Sequence, residues 1–250
     1  MTLSIVTCLW SGNTMPNTTV SYVADHVNRL YSAFQRNLTL PHRFICVTDM
    51  PAGIRSEVEI VPLWPDLRDL GRCYRRLKFF DPAMRDVLGP RMVSVDLDTV
   101  VTGNLDHLFD RPEPFVIWGD RHVTDIARRT AYCGSLFMLE IGYRPEIFHA
   151  FDPDVALTLR KTHGLIGSDQ AWLSHKIEGA PTWGRKDGVY SFRFDVKCNF
   201  GQRMGFGRKK IQPRSGALPK NARIVFFHGP DDPSMTHLHP QHKWIHEHWR

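Results

Sequence analysis

Two carboxylates, Asp96 and Asp98, interrupt the apolar run Met92-Val-Ser-Val-Asp-Leu-Asp-Thr-Val-Val101. Side chains alternate along an extended strand, so both acids project to one side while Leu97 turns toward the core. Acids held that close repel each other unless a cation bridges them or one takes up a proton. A divalent metal at the carboxyl end of a buried strand relieves the conflict, and open α/β sheets place their ligands at that end. Such a metal neutralises charge on an anionic ligand such as a phosphate. A second chemical feature is Ser168-Asp-Gln-Ala-Trp-Leu, read as a helix start with Ser168 as N-cap. Its free N–H groups and positive dipole end suit an anionic ligand, and Asp169 and Gln170 ride on it.

These groups need elements to hold them. Residues 4–10 read as a first strand ending at Trp10, followed by the turn residues Ser11-Gly-Asn. From about Thr18 to Arg36, Val23, Val27, Leu30, Tyr31 and Phe34 recur at helical spacing, with Asn17 or Thr18 as cap. Strands are expected at 43–48 and 58–63, which makes the opening a βαβ unit on a parallel sheet. A helix spans Cys73 to Met84, carried into the core by Leu77 and Phe80. The central strand 92–98 follows, then a short helix from Asn104 and a strand at 114–118. A polar loop at 119–130 lies over the site, and Tyr132-Cys-Gly-Ser-Leu-Phe-Met-Leu139 returns as a strand. Pro153 interrupts a helix expected over 145–161, and the last strand is 223–228. The whole reads as one α/β domain over 1–236, with a mixed, mostly parallel sheet flanked by helices. Residues 237–250 form a His/Trp-rich C-terminal tail or helix.

Composition narrows the function. With 250 residues, 42% hydrophobic and 23% charged, the chain can bury a sizeable core. No apolar run is long enough to span a bilayer, and the N-terminus reads as a strand, not a signal peptide. Five widely spaced cysteines without a C-x-x-C pair fit reduced thiols in a cytoplasmic protein. Net charge is +6, with a pI near 9.2. The excess is local: no acid lies between Asp195 and Asp231, whereas eight Lys or Arg residues do. Anionic partners follow: a nucleotide diphosphate, nucleic acid or an acidic membrane face.

With these residues in place, the chain resembles the GT-A-fold glycosyltransferases, particularly the retaining group of glycogenin and bacterial lipooligosaccharide galactosyltransferases. Asp96-Leu97-Asp98 looks like that family's D-x-D motif. Arg76-Leu77-Lys78 resembles its upstream R-L-K, where the arginine contacts the donor. Val101-Thr-Gly-Asn-Leu-Asp-His-Leu-Phe109 is similar to the segment just downstream of the motif. Tyr132-Cys-Gly-Ser-Leu-Phe looks like the strand beside the sugar, Ser168-Asp-Gln the G-D-Q helix start, and His228-Gly-Pro-Asp-Asp-Pro the closing segment. The resemblance implies a transferase that moves a sugar from a nucleotide-sugar donor, a UDP-sugar, with retention, onto a saccharide, lipid-linked or protein acceptor. Mn²⁺ or Mg²⁺ would sit on Asp96, Asp98 and His228, Asp98 being the more direct ligand. Thr7, Cys8, Leu9 and Trp10 would line the nucleotide pocket with Arg76, Lys78, Leu97, Gly134 and Gly229. Asp169 would hold sugar hydroxyls, and Gln170 the reacting sugar centre.

Two positions depart from the family pattern. Its metal-binding histidine stands where this chain has Phe226, so His228 is the substitute, displaced by roughly 6–7 Å along the strand. Its phosphate-binding lysine is replaced by Asp232, which leaves the basic stretch 203–214 to close over the diphosphate. Two rivals remain. Asp96-Leu-Asp-Thr-Val100 also fits the nucleophile motif of haloacid dehalogenase-like phosphatases, but that motif belongs to a first strand and three strands precede it here. A basic module for nucleic acid or membrane explains the charge of 195–230 and not the paired acids. The tail 237–250 either packs on the domain or touches an anionic membrane face, which would make the protein peripheral to the inner face of a membrane.

Overall fold

A computed structural model describes residues 2–12, 21–65, 72–119, 132–163, 169–197, 216–227, 231–238 and 242–250. The first half builds β1 (Leu3–Leu9), α1 (Ala24–Asn37), β2 (His42–Thr48), β3 (Glu59–Pro62), a 3-10 helix at Arg72–Phe80, α2 (Arg85–Leu88) and β4 (Arg91–Val95). There follow β5 (Thr99–Val101), α3 (Asp106–Phe109), β6 (Phe115–Gly119), β7 (Tyr132–Glu140), α4 (Glu146–His149), α5 (Pro153–His163) and α6 (Asp169–Lys176). The chain ends through β8 (Thr182–Trp183), β9 (Val189–Ser191), a π-helical turn at Phe192–Val196, β10 (Ile224–Phe226), a 3-10 helix at Pro233–Leu238 and α7 (Lys243–His248).

Seven strands form a central sheet in the order β3-β2-β1-β4-β7-β6-β8. Four of its six neighbour pairs are parallel, and β7 runs antiparallel to both β4 and β6. This is the mixed, mostly parallel sheet the sequence indicates. Alternation along β1 sends Ile5 and Leu9 to one face and Val6 and Trp10 to the other. The first face packs on α1 through Val27, Leu30 and Phe34. The second packs on the 3-10 helix and α6 through Leu77, Phe79, Phe80 and Trp172.

Several sequence expectations change. The apolar stretch 92–101 is two strands in two sheets, because β5 leaves β4 and pairs with β10 in a separate three-stranded sheet, β5-β10-β9. The segment 73–84 is 3-10 rather than α-helical over Arg72–Phe80, so residues three apart share a line along it. Helix α1 starts at Ala24, not Thr18, and its entry carries no Asn or Thr cap; Val23 N–H donates to His26 Nδ1 at 3.3 Å instead. Val23 itself is exposed. Pro153 does divide the helix expected over 145–161, opening α5 where its missing N–H costs nothing.

The C-terminal stretch is packed from His242 onward. Trp244 and Ile245 are buried in a cluster with Phe192, Val225 and Phe227 on the three-stranded sheet. Arg29 and Arg36 of α1 donate to the carbonyls of Trp249 and His248, each at 3.0 Å. Truncating Ile245 therefore empties a filled core: Ile245→Ala is expected to lose about 2–5 kcal/mol of unfolding free energy, read by urea denaturation. A loss near zero would return this stretch to a solvated tail.

Candidate functional site

Parallel strands share a carboxyl edge. β1, β2 and β4 are parallel neighbours, so Trp10, Asp49 and Asp96, which follow them, lie on one edge of the sheet. The motif Asp96-Leu97-Asp98 is the link between the two sheets at that edge. Asp96 N–H still donates to Ser135 O of β7 at 3.0 Å, whereas Asp98 O already accepts from Phe227 N–H at 2.9 Å. Thr99 Oγ1 closes the turn onto Asp96 O at 2.6 Å. Leu97 is buried in the core, as its alternation indicates. Across this link between the sheets the two acids have different partners.

Asp96 faces Arg76, which bonds it through Nη1. The other terminal nitrogen, Nη2, lies 2.8 Å from Asp169 Oδ2. Arg76 is only 5% exposed and Asp169 only 1%. Burial works against the charge of both; the two carboxylates nonetheless hold the Arg76 pKa well above its ordinary value. For Asp169 burial outweighs the attraction of Arg76, so its pKa is raised. Asp169 Oδ1 accepts from the N–H of Gln170 at 2.9 Å, tying the ion pair to the start of α6. Gly134 on β7 leaves the slot in which guanidinium and carboxylate meet. A Cβ there would stand 2.9 Å from Asp169 Oδ2 and 3.1 Å from Arg76 Nη2. Gly134→Ala is therefore expected to cost about 1–3 kcal/mol of stability through overpacking, measured by thermal and urea unfolding; a neutral substitution would show that the slot has room.

Asp98 has a different environment. It is 6% exposed, and its Oδ2 accepts from Tyr22 Oη at 3.0 Å. Burial first, then the charges of Asp96 and Asp232, raise its pKa well above the carboxylate range. Burial and Asp98 raise the Tyr22 pKa in turn. Asp232 is itself 4% exposed and lies 3.5 Å from His26 Nε2 on α1. Burial opposes its charge, but the His26 imidazole beside it and hydrogen bonds from Ser234 leave its pKa below the usual value. The residue standing where the resemblance calls for a lysine thus adds a third negative charge beside Asp96 and Asp98.

The remaining sequence candidates divide. Thr7 is buried, its hydroxyl donating to Val95 O at 2.9 Å, and Leu9 belongs to the core. Cys8 is half-buried at the same edge, and burial, eased by Arg76, raises its pKa. Trp10 is buried under the guanidinium of Arg75, 5.3 Å from its ring centre. Gln170 is half-buried behind Asp169. Lys78 is drawn to Asp81, at 3.2 Å, and to the ring of Phe148, at 4.7 Å. Phe226 is fully buried and stacked on Trp118 at 4.8 Å, a core side chain. His228, Gly229, Ser168, the stretch 203–214 and nearly all of the loop 119–130 lie outside the described residues. Among the described residues no three His, Cys, Asp or Glu side chains are arranged to hold a metal ion. Tyr22 and His26 escaped the sequence reading because both sit in or beside an amphipathic helix, where a Tyr or His ordinarily means core.

Comparison with known proteins adds the fold. No family model matches the chain, and no curated protein sequence matches it. Solved structures do. The galactosyltransferase LgtC in complex with donor and acceptor sugar analogs superposes with a TM-score of 0.58 at 11% identity, over 99% of this chain and 96% of that one. An active-site glutamine-to-glutamate mutant of LgtC gives 0.57 at 11% identity, over 92% and 89%. At this identity the likeness shows the fold: the chain has the GT-A fold of LgtC over most of its length.

Proposed function

We propose that this chain is a metal-dependent glycosyltransferase that takes a sugar from a nucleotide-sugar donor, a UDP-sugar, and passes it with retention to a saccharide, lipid-linked or protein acceptor. One observation carries the reading. On a GT-A fold shared with a sugar transferase, Asp98 is a buried carboxylate crowded by two others, and no cation among the described residues pairs with it. A carboxylate in that position is a suitable oxygen ligand for a divalent cation, although the described residues alone do not complete a site. Mn²⁺ or Mg²⁺ would be held by Asp98 and Asp96, with His228 as the third ligand that the resemblance supplies. When bound, such an ion stabilises negative charge gathering on the departing nucleoside diphosphate.

The chain's own groups do the rest. Arg76 fixes Asp96 and the start of α6 in one frame, with buried Asp169 anchoring it and half-buried Gln170 the group that would meet the sugar. Preorganised polar groups of this kind need no rearrangement as charge develops. LgtC has an active-site glutamine by the description of its mutant, and Gln170 is the residue of that type read here. The phosphatase reading asks for the motif after a first strand, whereas it follows β4. No helix among the described residues is long and apolar enough to cross a membrane; we place the enzyme in the cytoplasm, with any membrane contact peripheral. A panel of nucleotide sugars with and without Mn²⁺, read by thermal stabilisation and donor hydrolysis, tests the reading. No response to any nucleotide sugar would end it.

A further inference from the structure

Three rings join the segment after α7 to the acid cluster. Trp249 meets His26 edge to face, ring centres 5.7 Å apart, and His26 meets Tyr22 the same way at 5.3 Å. Tyr22, which lies just before α1, donates to Asp98 Oδ2. His26 is 3% exposed, and each of its nitrogens has a direction. Nδ1 accepts the Val23 N–H, so the proton of the neutral ring sits on Nε2. Nε2 faces Asp232 Oδ1 at 3.5 Å, an electrostatic contact rather than a full hydrogen bond. Both Asp98 and Tyr22 feel the Asp232 charge. One imidazole therefore touches the partner of Asp98 on one side and the third acid of the cluster on another. Trp249 is held from behind. The Arg29 guanidinium lies 4.5 Å from the centre of its ring, and Arg29 Nη1 donates to its carbonyl at 3.0 Å. Arg36, about two turns further along α1, donates to the carbonyls of His248 and Arg250 at 3.0 and 2.7 Å. Trp249 Nε1 is buried and has no hydrogen-bond partner among the described residues. Ring contacts and backbone bonds place the indole, and its N–H does not.

We propose that His26 and Trp249 are positioning residues for the cation site: Trp249, clamped to α1 by Arg29, keeps His26 between Tyr22 and Asp232, which fixes Tyr22 on Asp98. This rests on the metal-dependent reading and extends it to α1 and the segment after α7. Both residues act through Tyr22 and Asp232, not as ligands. Groups behind a metal ligand set its direction and the charge around it, and their loss costs metal affinity on the order of 10- to 100-fold. Asp232 brings negative charge where the resemblance calls for a lysine. The His26 Nε2 proton offsets that charge while the Tyr22 hydroxyl orients Asp98.

The test is titration of the full chain with Mn²⁺ in the presence of UDP, read by the electron paramagnetic resonance of the free ion. If the wild type takes up no Mn²⁺ with UDP, GDP or ADP, the metal reading falls and this proposal with it. Given uptake, Trp249→Ala is expected to weaken Mn²⁺ roughly 10-fold or more. Trp249→Phe keeps an aromatic face for Arg29 and His26 and should stay within about threefold of the wild type. His26→Phe keeps a ring but loses the contact with Asp232, and should weaken Mn²⁺ on the same scale as Trp249→Ala. Val116→Ala, a core truncation near the start of β6, is the structural control. It should lower the melting temperature and leave Mn²⁺ affinity unchanged. Since Trp249→Ala risks misfolding, wild type labelled with 5-fluorotryptophan supplies an independent measurement. Its Trp249 resonance, assigned by its absence in Trp249→Phe, should shift when Mg²⁺ and the nucleotide that supports uptake are added, because coupling between two sites is reciprocal. Undiminished Mn²⁺ affinity in Trp249→Ala or His26→Phe, an equal loss in Val116→Ala, or a Trp249 resonance indifferent to Mg²⁺ and nucleotide overturns the assignment.

Discussion

Asp98→Asn abolishes Mn²⁺-dependent UDP binding and turnover, yet leaves the metal-free protein at least as stable as the wild type. The two halves of this expectation come from the same geometry. Asp98 is buried, bonded to Tyr22, and faces the charges of Asp96 and Asp232. Its folded pKa is raised above the roughly 3.9 of an unfolded aspartate, so the folded state holds the proton more tightly. Asp98's contribution to the stability of the metal-free chain is therefore fullest below the unfolded value and is lost as pH rises from there through the folded value. Asparagine keeps the shape and the Tyr22 bond but removes that loss, so the substitution should reduce the decline in stability as pH rises above about 4. It also removes charge from the cation site. Wild type at 100-fold excess of ligand over its dissociation constant should gain about 2.7 kcal/mol, and Asp98→Asn almost none. Thermal melts from pH 4 to 8, with and without Mn²⁺ and UDP, read both halves. Metal-independent UDP binding, or full turnover by Asp98→Asn, would falsify the metal role.

The largest stability loss is expected at Arg76. Arg76→Met keeps length and apolar bulk but leaves Asp96 and Asp169 without their shared counter-charge. Breaking a buried ion pair by removing one partner costs about 3–5 kcal/mol, and Asp169, almost fully buried, has no water to turn to. Adding Asp169→Asn removes one of the stranded charges, so the double variant should recover part of the loss and show a coupling energy above about 0.5 kcal/mol. Urea denaturation of the four proteins in this cycle measures it. A loss below about 1 kcal/mol in Arg76→Met, or strict additivity, would mean that the guanidinium is not what holds α6 to the motif.

How much of this could be read from the chain alone depended on the range of the contacts involved. The βαβ opening, β4 and β7 are written in local periodicity, and Leu97 and Leu77 go to the core as their spacing says. Asp96, Asp98, Arg76, Asp169 and Gly134 were all identifiable by type and order, and four of them meet in one cluster. Their partners were less accessible. Alternation places Asp96 and Asp98 on one side only if the strand continues, and nothing local shows that β5 leaves to join β10. Tyr22 and His26 reach the site through contacts with residues more than seventy positions away. Asp232 could be noticed only as the wrong charge for its place. Lys78 looked equivalent to Arg76 by sequence, but the threefold repeat of a 3-10 helix puts it on a different line.

Because the acids bridge two sheets, the order of synthesis matters to them. A ribosome delivers β1, α1, β2, Arg76 and β4 early, so the Arg76–Asp96 pair can form in the nascent chain. Asp169 arrives much later, and β10, the strand that receives Asp98, and Asp232 later still. At about 5–20 residues per second, the interval from Asp98 to Asp232 is on the order of ten seconds. For that time Arg76 has one of its two carboxylates, and Asp98 lacks Asp232 and the strand that takes up its backbone. A chain released before β10 would carry the parallel β1, β2 and β4 and a site still lacking Asp232 and the strand that takes up the Asp98 backbone.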